Sequence, residues 1–180
     1  MGRSVNGAMV FSMKALDLSS RTRHVSPRKR GALLASTPET LGPPAMTIVP
    51  FEHPIAVQPA DIDELGHVNN VVYLRWVQEA AIAHWTAAAT AEDQARVSWI
   101  ALRHEIDYKA PALPGDAIIA RTWVGAAEGH KFERLTEILR AADGKVLAKA
   151  RTLWCPVARL TGKLTRVSAA IRGNFSSQPA

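Results

Sequence analysis

Between residues 69 and 89 the chain has neither glycine nor proline and is rich in alanine and tryptophan, which predicts one long helix. Its apolar positions do not form a stripe. Val71, Val72, Leu74, Trp76, Val77, Ala80, Ala81, Ala83 and Trp85 surround most of the circumference, and a helix apolar on nearly every side must be enclosed by the rest of the fold. The polar exceptions, Arg75, Gln78 and Glu79, fall at i, i+3 and i+4 and share one face. Asn69 or Asn70 is the expected N-cap.

The material that encloses the helix flanks it in sequence. Residues 51–57 read as a strand ended by Gln58-Pro59. Four strand-like segments follow the helix, at residues 97–109, 116–124, 131–140 and 145–157. In the first, His104, Ile106 and Tyr108 alternate with Arg103, Glu105, Asp107 and Lys109, so they belong to opposite faces. Pro111, Pro114 and Gly115 mark one turn, residues 125–129 a second, and Asp143-Gly144 is a two-residue hairpin signal for the third. Connections this short require antiparallel neighbours. The expected class is α+β: a five-stranded antiparallel sheet wrapped around one long central helix, as a single domain over residues 46–160. Trp76, Trp85, Trp99, Trp123 and Trp154 are expected mostly in the core, and residues 161–180 as a loose polar tail.

The net charge of +6 and the pI of 9.9 belong to the N-terminal stretch. Residues 1–45 hold seven Lys/Arg and two Asp/Glu, a contribution of 7 − 2 = +5, which leaves 15 − 14 = +1 for residues 46–180. A nearly neutral globular part removes the case for nucleic-acid binding. The run Ser26-Pro27-Arg28-Lys29-Arg30 cannot bury itself, and Thr37-Pro38 and Pro43-Pro44 break any helix. Residues 1–45 are therefore expected to be a disordered or spurious extension, with a targeting segment as the other reading. No apolar run approaches the length of a membrane span. The single cysteine, Cys155, excludes an intramolecular disulfide and fits a reducing, cytoplasmic setting. No Cys/His cluster exists, so neither metal nor cofactor is expected.

The stretch just ahead of the helix, Asp61-Ile62-Asp63-Glu64-Leu65-Gly66-His67-Val68-Asn69-Asn70, packs carboxylates, an imidazole and two amides against a buried element. Polar groups are costly there unless they act. A helix N-terminus offers unpaired backbone N–H groups and a positive dipole end, able to bind a developing oxyanion. A neighbouring carboxylate can attack a carbonyl or activate water. By physics alone, helix capping and acyl-transfer chemistry remain equally open readings of Asp61 and Asp63.

The same stretch resembles the motif of hotdog-fold acyl-CoA thioesterases of the 4-hydroxybenzoyl-CoA thioesterase type, in which Asp-x-Asp, Gly, Asn and Tyr lead into the central helix. It is also similar to plant acyl-carrier-protein thioesterases through Asp-x-Asp and His67-Val68-Asn69-Asn70. The likeness continues through Tyr108-Lys109-Ala110-Pro111 to Asp116 and covers residues 50–160. It implies the hotdog fold and hydrolysis of acyl-CoA, or acyl-carrier-protein thioesters, to the free acid. Asp63 matches the catalytic aspartate, as nucleophile or as general base. The backbone N–H at Asn70 matches the donor that polarises the thioester carbonyl. His67 matches the histidine of the plant enzymes, although Leu65 stands where their motif has Asn; it is either ligand-facing or a loop-bonding residue. Asn69 is read as fixing the loop, Tyr73 as a core residue whose hydroxyl finds a partner, and Glu79 as a supporting residue beside Arg75. The resemblance further implies a homodimer or homotetramer with the site at a subunit boundary. A non-catalytic acyl-CoA-binding module and a hotdog dehydratase or hydratase are the alternatives.

Overall fold

The computed structural model describes residues 49–176; the N-terminal extension expected over residues 1–45 lies outside them. The first strand, β1 (Phe51–Ala56), accepts Pro54 because it pairs on one side only. The long helix α1 (Asn70–Ala88) follows, with Asn69 as its N-cap. A short helix α2 (Ala91–Arg96), not anticipated from the sequence, starts at Thr90, whose hydroxyl accepts the Asp93 N–H. Then come β2 (Val97–Tyr108), β3 (Ala117–Glu128), β4 (Lys131–Arg140) and β5 (Val146–Ala158). Every strand pair is antiparallel, in the order β1-β3-β4-β5-β2. With α1 laid across it, this is the hotdog arrangement. Among the described residues no helix is long and apolar enough to cross a membrane.

Two turns differ from expectation. Strand β3 runs on through residues 125–128, and the chain reverses only at Gly129-His130 before β4 begins at Lys131. Gly125 and Ala126 form a bulge opposite Glu133. The Glu133 carboxylate folds over Gly125 to accept the Ala126 N–H, and a β-carbon at Gly125 would collide with it. At Asp143-Gly144 the hairpin loop has four residues, closed by the Arg140 N–H on the Lys145 carbonyl at 3.0 Å. The Asp143 carboxylate accepts the Lys145 N–H and an Arg140 N–H, which favours this wider loop over the tight one.

The sheet covers one side of α1. Tyr73, Trp76, Val77, Ala80, Ala81, His84 and Trp85 are buried, while Val71 stays 67% exposed. Trp76, Val77 and Ala80 pack against Ile118, Ala120, Ile138 and Ala148 of the sheet. The far half of the core, around Trp85, Trp99, Phe132 and Trp154, corrects the expectation of a loose tail over residues 161–180 as far as residue 176, the last one described. A third helix, α3 (Ala169–Ser176), follows Val167, and Ile171 is 2% exposed within this cluster. Val167, Ile171 and Phe175 supply the apolar surface that holds α3 there.

A polar layer separates the two halves. The Arg134 guanidinium donates to His84 Nδ1 at 2.9 Å and to the Thr122 hydroxyl at 3.3 Å. Thr122 also accepts from Thr136 and donates to the Leu135 carbonyl, so its hydroxyl is saturated. Because Nδ1 accepts, His84 is the neutral Nε2–H tautomer. Burial and the adjacent Arg134 charge push its pKa from 6.5 to about 3. Burial also lowers that of His104. Each takes up its proton more readily in the unfolded chain as pH falls below 6.5, so the unfolded state binds more protons and stability declines on acidification. Urea unfolding should show a decline between pH 6.5 and 5. His84→Gln, which keeps an acceptor for Arg134, should flatten it.

Candidate active site

The residues ahead of α1 form a miniature hairpin. Ile62 and Val68 make a β-bridge, the Asp63 N–H donates to the His67 carbonyl at 2.8 Å, and the Gly66 N–H closes a turn on the Asp63 carbonyl at 3.0 Å. Gly66 takes φ 77°, the left-handed position such a three-residue loop requires. The hairpin is tied down on two sides. The Val68 N–H donates to the Ala112 carbonyl, and the Asn69 N–H to that of Asp61. Asp61, 2% exposed, accepts the Gln58 N–H and pairs with Arg75 at 2.7 Å. Its part is structural.

Asp63 differs from Asp61. One carboxylate oxygen accepts the N–H groups of Leu65 at 2.9 Å and His67 at 3.4 Å. Oδ2 receives no hydrogen bond from the described residues, and Asp63 lines an open cleft of about 380 Å³. His67, Asn70, Tyr73, Tyr108 and Lys109 line the same cleft.

The start of α1 accounts for its orphan donors one by one. The Asn69 side chain accepts the Val71 N–H at 3.0 Å, and the Asn69 carbonyl accepts that of Val72. The Asn70 backbone N–H has no partner among the described residues. No acidic residue sits in the first turn to neutralise the positive helix end. One unsatisfied donor, at a dipole terminus, therefore belongs to the same cleft as one unsatisfied carboxylate oxygen.

The other expected residues sort clearly. Tyr73 is buried, and its hydroxyl accepts the Ala112 N–H at 2.7 Å; burial raises its pKa. Tyr108 stands edge-on to the Tyr73 ring and donates to the Asn70 carbonyl at 2.9 Å, fixing the first peptide of the helix. Its alternation with His104 and Ile106 gave its face but not this contact. Glu79 is not brought to Asp63 within the chain. It lies 3.4 Å from Arg75 and lines a separate cleft beside β1. The loop from Pro111 to Asp116 is held by Arg140, which bonds the Pro111 carbonyl and the Asp116 carboxylate.

A family model described as the thioesterase-like superfamily matches residues 57–175, well over half of the chain. No curated protein sequence matches. Solved structures similar to this chain include a 1,4-dihydroxy-2-naphthoyl-CoA thioesterase from Synechocystis, at 22% identity and TM-score 0.62, covering 70% of this chain and 95% of that one. The dynemicin thioesterase is similar at 20% identity and TM-score 0.65, covering 71% and 95%. A thioesterase from Thermus thermophilus, complexed with coenzyme A and zinc, is similar at 22% and 0.62, covering 72% and 96%.

Tyr73→Phe should test the loop anchoring. It strands the N–H of Ala112, a residue with no exposed surface, and should cost about 1–3 kcal/mol by chemical denaturation.

Proposed function

Because this chain belongs to the thioesterase-like superfamily, we propose that it hydrolyses acyl-CoA thioesters to the free acid and CoA at the cleft holding Asp63 and Asn70. The observation that carries this reading is the pairing of an unbonded Asp63 oxygen with an unbonded N–H at the start of α1. The thioester carbonyl oxygen would accept the Asn70 N–H, and that hydrogen bond strengthens as negative charge develops on the oxygen. Asp63 then acts in one of two ways. As a nucleophile it adds through Oδ2 to the carbonyl carbon; the C–S bond breaks, CoA leaves as thiolate, and water cleaves the mixed anhydride. As a general base it takes a proton from water, whose oxygen adds to the same carbon before the thiolate leaves.

The other cleft residues fit this scheme in supporting parts. Asn69 and Tyr108 hold the helix start, Tyr73 holds the opposite wall, and His67, an exposed residue of the cleft lining, is the group this reading assigns to contact a bound ligand. Lys109, 3.4 Å from Asp107, is the cation lining the cleft and suits a CoA phosphate. Glu79 takes the role of a support for Arg75, which in turn holds Asp61.

The working unit in this proposal is a homodimer, or a tetramer built from it. Among the described residues, β2 pairs only with β5 and leaves its outer edge unpaired, and Val71 lies bare beside the cleft. An unpaired edge and an uncovered apolar helix face are together a surface for a second copy. Light scattering at micromolar concentration should give a dimer or tetramer; a monomer contradicts this assembly.

Asp63→Ala should lower kcat for thiol release from acyl-CoA at least about 100-fold, with binding of a non-hydrolysable acyl-CoA analogue retained. Full activity in the variant overturns the assignment. Binding without hydrolysis in the unaltered protein would make it an acyl-CoA-binding module.

A further inference from the structure

Among the described residues the buried Arg134 is a cation without a carboxylate in ion-pair contact. It is 7% exposed, burial lowers its pKa only to about 10, and it remains charged at neutral pH. Its hydrogen-bond partners among the described residues are a neutral imidazole and a saturated hydroxyl. Glu133, the preceding residue of β4, borders the same cavity, but its carboxylate is engaged by Arg151 and the Ala126 N–H and makes no ion pair with Arg134. His84 adds to the imbalance, because its buried Nε2–H has no partner among the described residues. The cluster is rich in donors and short of acceptors. An uncompensated buried charge costs several kcal/mol, and an anion would offset that cost.

Arg134 lines a cavity that lies well away from the cleft of Asp63. His84 is 14 residues beyond Asn70 on one helix, a rise of about 21 Å at 1.5 Å per residue. The cavity walls are mostly aromatic, Trp85, Trp99, Phe132 and Trp154 with Phe175 of α3 over them, and Glu133 borders it beside Arg134. The open space is about 20 Å³, room for one water-sized group. The Phe175 ring fills the rest, stacking on Trp85 with centroids 5.9 Å apart and standing 5.5 Å from the Arg134 guanidinium. An aromatic ring already lies on the cation.

We propose that Arg134 and the aromatic walls form a second ligand site, which takes a monocarboxylate with an aryl or alkyl body. The carboxylate pairs with the Arg134 guanidinium, and the body replaces the Phe175 ring as α3 shifts aside. Guanidinium suits this task because its planar fork matches a carboxylate, and aromatic walls with one convergent charged group are the usual make-up of such a pocket. The site stands independently of the thioester reading, since it requires only binding.

The full chain should be titrated with sodium 3-phenylpropanoate, its uncharged amide and sodium chloride, at matched ionic strength, by calorimetry and thermal unfolding. The carboxylate should bind and raise the unfolding midpoint, and the amide should bind at least about tenfold more weakly. Arg134→Met should abolish the difference between carboxylate and amide, whereas Asp63→Asn should keep it. Phe175→Ala, which vacates the ring position, should tighten carboxylate binding, and it keeps the proposal testable if Arg134→Met does not fold. Protection by chloride equal to that by the carboxylate, indifference to all three probes, loss of the effect in Asp63→Asn but not in Arg134→Met, or unchanged binding in Phe175→Ala would each overturn the site.

Discussion

The Asn69 amide side chain and carbonyl together decide what the start of α1 can do. By accepting the N–H groups of Val71 and Val72 they leave one donor unspent, that of Asn70. The cap holds its position because the hairpin ahead of it is rigid. Asp61 anchors one end through Gln58 and Arg75, Gly66 permits the turn, and Val68 is bonded to the Pro111–Asp116 loop region through Ala112. Tyr73 and Tyr108 reach from helix and strand to close the same unit. A donor fixed by this many bonds needs little reorganisation when charge develops against it, which is the property the proposed chemistry uses.

The same helix carries a second polar arrangement at its other end. There the requirement is enclosure, and α3 contributes to it through Ile171 and Phe175. His84, Thr122, Thr136 and Arg134 cross the core as a single layer between two apolar clusters. Such a layer constrains the register of β3 against β4 and the rotation of α1, because each partner has one position in which its bonds close. Arg134 is the member whose charge the layer does not answer.

Much of this was legible in the residues and some was not. Helix α1 could be read from the missing Gly and Pro, and the strands from alternation and turn residues, because those signals are local. A cap at Asn69 or Asn70 followed from their place before an apolar run, and the fold selects Asn69. The helix was expected to be enclosed on nearly every side, yet a single chain covers one side, since a sequence does not say whether its own sheet or another surface does the enclosing. The tail was read as loose because Val167, Ile171 and Phe175 are sparse among polar residues, and only the groove beside Trp85 gives them a partner. Apart from the family resemblance, which singled out Asp63, the difference between Asp61 and Asp63 was equally hidden. Two carboxylates two residues apart carry the same local signal, and only the fold gives one to Arg75 and leaves the other an oxygen free.

The central claim is that the Asn70 N–H receives the thioester carbonyl beside Asp63. The most direct measurement is the amide resonance of Asn70 in ¹⁵N-labelled Asp63→Asn protein, titrated with an unreactive acyl-CoA analogue that keeps the carbonyl. The account predicts a downfield proton shift at Asn70 that saturates with binding and exceeds those of Val71 and Val72, whose N–H groups are already bonded. A saturable complex that leaves the Asn70 amide unmoved would contradict it.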